Sequence, residues 1–150
     1  MKKILIFEYI TGGGLIEKKV DNSLLFEAEI ILNSLIETHN YEVNFFCDYR
    51  HRFRHKKGAI IVSKDNTEII YDNKFINEYD FYLTICPETH MIYYTYLKKI
   101  IHSVSNMNIS SAETILATSD KLIFRQICNK KNISNPDLLD ISKRNQLYIE

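Results

Sequence analysis

Short apolar runs and helical apolar repeats alternate along the chain. The first run, residues 4–7, is continuous and lies within residues 2–9, which predicts a strand buried on both faces. Residues 41–47 alternate apolar and polar positions well enough to predict a second strand. Phe81–Ile85 is again a short apolar run and predicts another buried strand.

A hairpin is predicted between these strands. The apolar runs Ala59–Val62 and 68–71 bracket the polar residues 64–67. Polar residues between two β-prone runs are typical of a turn, so we expect the two runs to pair with each other.

Helical spacing predicts the elements between the strands. Residues 21–23 supply N-cap candidates for a helix that ends near Asn40. A second helix is predicted over residues 88–104 and a short one over residues 112–117. The apolar stripe of the first helix consists of Leu24, Leu25, Ala28, Ile31, Leu32, Leu35 and Ile36.

Near the end of the sequence, residues typical of helix ends flank a lysine that is a candidate ligand-binding residue. Ser119 predicts a helix N-cap, and Asp120 suits the positive helix end. Asn132 suits the left-handed residue that ends a helix, and Pro136 prevents continuation. Lys121 is electrostatically disfavoured in a first turn, which indicates an anionic partner or, alternatively, a solvated surface lysine. The apolar face of this helix consists of Leu122, Ile123, Ile127 and Cys128.

The order of elements determines the predicted fold class. Residues 138–139 and 147–149 predict short strands after this last helix, so strands and helices alternate throughout. This order predicts an α/β fold with a mostly parallel sheet flanked by helices. Ligands in such folds bind beyond the carboxyl ends of the strands.

Two strand ends therefore carry the candidate site. Glu8 and Tyr9 follow the first strand, and Glu88 follows Cys86 and Pro87 at the end of Phe81–Ile85. A carboxylate suits an ammonium group, and glycine lets backbone N–H groups approach a substrate carboxylate. The loop after the first strand contributes Thr11, Gly12, Gly13 and Gly14. Its glycine spacing matches neither the dinucleotide fingerprint nor the Walker A pattern.

Composition limits the function classes. The 150 residues are 45% hydrophobic with zero formal net charge, which suffices for one compact domain and gives no global attraction to nucleic acid or anionic membranes. No segment approaches a signal peptide or a membrane span. The three cysteines are widely spaced, which favours reduced thiols in the cytoplasm over a disulfide framework or a zinc site.

The remaining polar clusters predict no catalytic or metal centre. Residues 48–57 form a dense basic run with two aromatics, and we expect a solvated loop there because no nucleic-acid module is recognisable. The five histidines lack the spacing of a catalytic triad or a metal motif.

Three segments resemble ATP-grasp ligases. Asp120, Lys121 and Pro136, with Leu122, Ile127, Asn132 and Ile133, are similar to the entry into the ATP-grasp domain, with Asn132 where the family usually has glycine. Residues 7–15 and 80–88 are similar to the opening and to a later strand ending in Pro-Glu of a microbial ATP-grasp group. That group is related to tyramine-glutamate ligase and to proteins of methanopterin-linked metabolism.

The resemblance implies an architecture and a role. Residues 1–118 would be a Rossmann-like pre-ATP-grasp domain, and residues 119–150 the beginning of a truncated ATP-grasp domain. The family joins a carboxylate to an amine through an acyl phosphate, and Lys121 would approach the nucleotide phosphates. Glu8, Glu88 and the first loop would hold a small carboxylate or amine substrate.

The resemblance also implies what lies elsewhere. ATP and Mg would bind the complete enzyme, whose second phosphate-binding lysine and acidic metal ligands come later in the ATP-grasp domain, so this chain alone is expected neither to hold ATP tightly nor to catalyse. Its partners would be the remainder of the ATP-grasp domain, the small-molecule substrate and, in one alternative, a second copy in a homodimer.

Structural explanations stay open for each candidate residue. Glu88 alternatively sits in the first turn of a helix, where an acid is favoured, and Glu8 alternatively pairs with a lysine. The rival hypothesis for the whole chain is a freestanding α/β module that binds a small anionic ligand or a partner protein and performs no catalysis.

Overall fold

The computed structural model of the protein describes residues 1–37, 40–101, 103–107 and 110–134. The chain divides into two compact units, the first from Met1 to Leu116 and the second from Ala117 onward. The interpretation of these units as a pre-ATP-grasp domain and the start of an ATP-grasp domain stays a prediction. The predicted strands at 138–139 and 147–149 lie outside the described residues.

The first unit is built on a parallel sheet. Its strands are β1 (Lys3–Glu8), β2 (Glu42–Asp48), β3 (Ala59–Val62) and β4 (Phe81–Ile85). They pair in the order β3-β2-β1-β4, and all three pairings are parallel. The carboxyl ends of all four strands therefore meet at one edge of the sheet.

The register aligns those ends closely. The last residue of β1, Glu8, pairs with Ile85 at the end of β4, and Asp48 at the end of β2 pairs with Val62 at the end of β3. The chain order reverses at β1, because β2 and β3 lie on one side of it and β4 on the other. The position between the ends of β1 and β4 is the topological switch point, where ligands of such folds bind.

The described residues of both units form helices. The α-helices are α1 (Asn22–Ile36), α2 (Asn73–Ile76), α3 (Ile92–Ile100), α4 (Ala112–Ser119) and α5 (Lys121–Lys130). Three 3₁₀ helices span Arg52–His55, Lys64–Tyr71 and Thr89–Met91. No helix among the described residues is long and apolar enough to cross a membrane. The predicted α/β class, a parallel sheet flanked by helices, is confirmed.

Helix α1 begins where the sequence predicts. The carboxylate of Asp21 accepts hydrogen bonds from the backbone N–H groups of Ser23 and Leu24, at 2.8 and 3.4 Å. These donors have no partner within the helix, so the cap supplies one. Ala28 and Leu32, one turn apart, are buried toward the sheet.

The side chains on the two faces of β1 pack into two separate hydrophobic clusters. Leu5 and Phe7 belong to the larger cluster, which contains Phe46 and Tyr96, whereas Ile6 packs into a smaller cluster beneath α1. All three β1 side chains are almost fully buried, as the continuous apolar run predicts for a strand with helices on both faces. Each contributes about 1.5 to 3 kcal/mol by its removal from water.

The predicted hairpin is wrong. β3 pairs with β2, and the segment after it is the 3₁₀ helix Lys64–Tyr71. Asn66 accepts a hydrogen bond from the Ser63 N–H at 2.6 Å and donates one to the Ile61 carbonyl at 2.9 Å. The Ser63 hydroxyl accepts in return from the Asp65 N–H at 3.4 Å, and this cap starts a helical turn at the place where the polar composition predicts a β-turn.

The predicted helix over 88–104 is only partly confirmed. Helix α3 covers Ile92–Ile100, and the 3₁₀ turn before it contains two left-handed residues, His90 (φ 55°) and Met91 (φ 58°). A left-handed residue cannot continue a right-handed helix, so α3 begins later than apolar spacing suggests.

In the second unit, α5 differs from the prediction at its start. Ser119 is the last residue of α4, and Asp120 is the N-cap, with its carboxylate accepting from the N–H groups of Leu122 and Ile123 at 2.8 and 3.1 Å. The predicted cap residue is therefore off by one position. The extended backbone of Asp120 aims its carboxylate at these donors, as an N-cap requires.

The end of α5 is as predicted. Asn132 has φ 55°, its N–H bonds to the Asn129 carbonyl, and the Ile133 N–H bonds to the Cys128 carbonyl at 2.9 Å. These two bonds form a Schellman motif. Of the predicted apolar face Cys128 is buried, whereas the other members are 37% to 56% exposed: Leu122, Ile123 and Ile127.

Candidate functional site

The carboxylate of Glu8 organises the loop after β1. Its Oε2 accepts hydrogen bonds from the Thr11 N–H at 2.7 Å and the Thr11 hydroxyl at 2.6 Å, and its Oε1 accepts from the Ile10 N–H at 3.1 Å. Glu8 is only 4% exposed and Thr11 is fully buried. The predicted substrate carboxylate is thus turned into its own loop, where three donors replace the water it loses on burial.

The three glycines let this loop pack tightly. The Gly12 N–H donates to the Glu8 carbonyl at 2.7 Å, and the Gly14 N–H donates to the Tyr9 carbonyl at 2.9 Å. Gly13 has φ 96°, and an added Cβ there would lie 2.7 Å from Val62 Cγ1. An added Cβ at Gly14 would overlap the Tyr9 ring. Steric demands therefore explain these glycines, and two of their N–H groups are used within the loop.

Arg50 fastens the same loop from the end of β2. Its guanidinium donates to both carboxylate oxygens of Asp48, at 3.0 Å from Nε to Oδ1 and 2.6 Å from Nη2 to Oδ2. It also donates to the carbonyls of Leu15 and Lys18, each at 3.0 Å. The Asp48 N–H completes the connection by donating to the Thr11 carbonyl at 2.7 Å. The end of β2 and the loop after β1 are thus held as one unit.

At the switch point, the loop meets the end of β4. The Tyr9 N–H donates to the Ile85 carbonyl at 2.8 Å, which extends the pairing of β1 and β4 by one bond. Burial raises the pKa of the Tyr9 hydroxyl, and Tyr71 and Cys86 add to that shift. The hydroxyl of Thr84 in β4 lies 2.8 Å from the hydroxyl of Tyr93 in α3. Neutral hydroxyl and thiol groups therefore line this side of the sheet edge.

Cys86 and Glu88 occupy different environments at the end of β4. Burial raises the pKa of the Cys86 thiol well above its usual range, and the neighbouring carboxylate of Glu8 adds to the effect. A thiol in this state is not a nucleophile. Glu88 is exposed and caps no backbone donor through its side chain. Of the two predicted substrate carboxylates, Glu88 is the one that faces solvent.

The basic run is more ordered than the sequence predicts. Arg52–His55 is a 3₁₀ helix, His51 and Phe53 are buried, and the Phe53 N–H donates to His51 Nδ1 at 3.2 Å. His51 Nε2 lies 2.9 Å from Glu29 Oε1. Arg52 pairs with the same carboxylate. The expectation of a solvated loop is therefore wrong for this half of the run.

Nucleotide and metal candidates in the described residues are few. Lys121 is the first residue of α5 and is exposed. Within the described ranges no three His, Cys, Asp or Glu side chains cluster in a way that would hold a metal ion. Among the described residues, Lys121 therefore stays the candidate for a phosphate contact.

Asp48 and Arg50 are the site residues that sequence reasoning missed. Asp48 follows a buried apolar run, as Glu8 does, and the rule that selects carboxyl ends of parallel strands applies to both. Applied to the second predicted strand, that rule identifies Asp48. The role of Arg50 has no comparable signal, because a run of cations looks like a solvated segment.

One solved structure has a fold similar to this chain. It is a protein from Archaeoglobus fulgidus described as belonging to the ATP-grasp superfamily, with a TM-score of 0.69 and 23% sequence identity. The alignment covers 93% of this chain and 44% of that protein, so this chain spans less than half its length. No protein-family model matches the chain, and no curated protein matches it. At this identity the likeness shows a shared fold.

Proposed function

We propose that this chain is the N-terminal, substrate-side portion of an ATP-grasp ligase that joins a small carboxylate to an amine. The observation that carries the proposal is the shared fold over nearly the whole chain and less than half of an ATP-grasp superfamily protein. The family motifs at both ends and in the middle of the sequence support it. In this account the chain supplies a binding surface, and the chemical step needs residues from the remainder of the ATP-grasp domain.

The substrate would bind at the switch point between β1 and β4. Tyr9 and Gly14 form the half-buried outer side of the loop, and Glu88 is the exposed carboxylate of the opposite strand end. Glu8, Thr11, Gly12 and Gly13 act behind this surface, because their bonds and packing fix the loop. A rigid wall of this kind positions a substrate without spending binding energy on ordering the loop.

Glu88 gives this surface its chemical preference. An exposed carboxylate attracts an ammonium group, and the hydroxyls of Thr84 in β4 and Tyr93 in α3, which lie 2.8 Å apart, add neutral hydrogen-bonding groups. The Cys86 thiol is half-buried and its pKa is raised, so it adds no charge at neutral pH. The crevice therefore suits an amine or amino-acid substrate whose ammonium lies near Glu88.

Lys121 would contact the nucleotide. One charged hydrogen bond to a phosphate contributes about 1.5 to 3 kcal/mol, whereas even millimolar binding needs about 4.1 kcal/mol. ATP affinity must then come mainly from residues beyond those described, including the acidic ligands of Mg. When bound, ATP supplies the phosphoryl group that activates the carboxylate.

Calorimetric titration with Mg-ATP tests this role. In the protein translated from the complete reading frame, Lys121→Ala should weaken binding by about tenfold or more, because the charged hydrogen bond is lost. Lys130→Ala removes an exposed lysine from the other end of the same helix and should leave affinity unchanged.

The same titration discriminates the rival hypothesis. The 150-residue chain alone should show no saturable binding of Mg-ATP at micromolar concentrations. Micromolar affinity of that chain, or equal affinities of the Lys121→Ala and Lys130→Ala variants, would contradict the proposal. A freestanding binding module predicts that Lys121 is dispensable and that damage to the glycine loop abolishes ligand binding.

A further inference from the structure

We infer that a pocket on the β2 side of β1 binds a small organic dianion. The pocket has a volume of about 210 Å³ and lies between the end of β2 and the segment that leads into α1. It is separate from the crevice between β1 and β4, since β1 stands between the two. It also lies at the carboxyl edge of the parallel sheet, where α/β folds bind ligands.

The charged side chains that line the pocket favour an anion that carries two negative charges. Lys18, Lys19 and Arg50 line it together with a single carboxylate, that of Asp48, which leaves a net charge of +2. His51 also lines the pocket, and burial lowers its pKa, so it is uncharged at neutral pH. A dianion therefore balances the lining.

Arg50 is a fixed part of this lining. Four of its five N–H donors are engaged, two by Asp48 and two by the carbonyls of Leu15 and Lys18. Its pKa is raised, chiefly by the hydrogen bonds to Asp48. The second proton on Nη1 has no partner among the described residues and is available to a ligand. A guanidinium held in this way binds a carboxylate without first losing conformational freedom.

The two lysines are not neutralised within the protein. Neither Lys18 nor Lys19 forms an ion pair with any described residue. The nearest acid in the sequence, Glu17, pairs instead with Lys64. Both lysines are exposed and flexible, so they can close over a ligand that Arg50 has bound.

The rest of the pocket is apolar and small. Ile10, Val20 and Leu25 line it, and Ile10 is only 5% exposed. The volume is below the roughly 300 Å³ at which drug-sized pockets begin, which limits the ligand to a few carbons. Apolar walls between cationic groups suit a dicarboxylate with a short hydrocarbon body better than an inorganic ion.

Isothermal titration with succinate, inorganic phosphate and succinamide tests this inference. Succinate should bind saturably, with millimolar affinity or better, phosphate more weakly because it lacks a hydrocarbon body, and uncharged succinamide not at all. The double variant Lys18→Gln/Lys19→Gln should weaken succinate binding by about tenfold or more. Exposed lysines tolerate this change, and an unchanged melting temperature verifies the fold.

The matched control is Lys2→Gln/Lys3→Gln. It removes an adjacent, exposed pair of lysines at the opposite edge of the same sheet and should leave succinate binding intact. The inference is overturned if succinate fails to saturate, if phosphate or succinamide binds as tightly as succinate, or if the control weakens binding as much as the Lys18/Lys19 variant. None of these outcomes depends on ATP or on Lys121, so the proposed ligase role is tested separately.

Discussion

Thr11 gives both of its donors to one carboxylate oxygen of Glu8, the N–H at 2.7 Å and the hydroxyl at 2.6 Å. This contact lies at the carboxyl end of the central strand β1, where the fold would expose groups to a ligand. The Glu8 carboxylate instead accepts hydrogen bonds within the loop. The loop leaves Tyr9 and Gly14 partly exposed to solvent. The candidate surface is thus built on a buried charged hydrogen-bond network.

Thr11→Val should destabilise the protein by about 1.5 to 3 kcal/mol, because it removes a buried hydrogen bond to an ionised carboxylate. Urea unfolding measures the change. Thr95→Val makes the same chemical change at an exposed position of α3 and should alter stability by less than about 0.5 kcal/mol. Equal effects of the two variants would show that the Glu8 contact is not stabilising.

Gly13→Ala should cost about 2 to 5 kcal/mol. A non-glycine residue at φ 96° is strained, and the new Cβ meets Val62 Cγ1 at 2.7 Å. Denaturant unfolding of the four members of a double-mutant cycle with Val62→Ala measures both effects. Val62→Ala should cost less in the Gly13→Ala protein than in the native one, because it removes the clash. Additive losses would mean that only the backbone strain matters.

Arg50→Lys should destabilise the protein by about 1 to 2 kcal/mol, because lysine keeps the charge but loses the bidentate bond to Asp48. The effect is limited because the Arg50 side chain is partly exposed and solvent screens the ion pair. The sharper readout is amide hydrogen exchange at Ile16 and Lys18, whose N–H groups bond within the loop that Arg50 fastens. Exchange there should accelerate. Arg54→Lys is the control, and loop exchange that is the same in both variants would contradict the proposed fastening.

His51 should make stability fall in mild acid. Burial holds its folded-state pKa below the ordinary 6.5, although Glu29 opposes that shift. The unfolded chain therefore binds the proton first, so the full contribution is present above pH 6.5 and is lost as pH falls through the folded pKa. The loss is at most about 1.4 kcal/mol per pH unit.

The variant His51→Asn isolates this effect. Asparagine keeps an N-cap acceptor for the Phe53 N–H and does not titrate. Thermal or urea unfolding between pH 5 and 7.5 should show the native protein losing stability relative to the variant below pH 6.5. Parallel pH curves would mean that another group carries the acid dependence.

Much of the fold follows from residue patterns that packing reinforces. Residues 2–9 predict β1, which spans Lys3–Glu8, and the caps before Leu24 place the start of α1 correctly. These features are local, or repeat with a fixed period. The alternation of strands and helices is then enough to predict a parallel sheet, because helical crossover connections join parallel strands.

The sequence-based predictions fail where the structure is determined by hydrogen bonds to residues distant in sequence or by short helix caps, because local composition indicates neither. The Ser63–Asn66 cap turns a predicted β-turn into a 3₁₀ helix. Arg50 contacts carbonyls more than thirty residues away, so a cationic run in the sequence does not indicate its bonds. The sequence predicts Glu8 as a substrate carboxylate, and only the geometry of its neighbours reveals that the carboxylate bonds inward to Ile10 and Thr11.

Sequencing the natural transcript past the codon for Glu150 tests the central claim most directly. The ligase account predicts a reading frame that continues into an ATP-grasp domain, with a second phosphate-binding lysine on a strand and paired acidic metal ligands late in the sequence. A stop codon directly after Glu150, or a continuation without that lysine and those ligands, would contradict the account and favour a freestanding binding module.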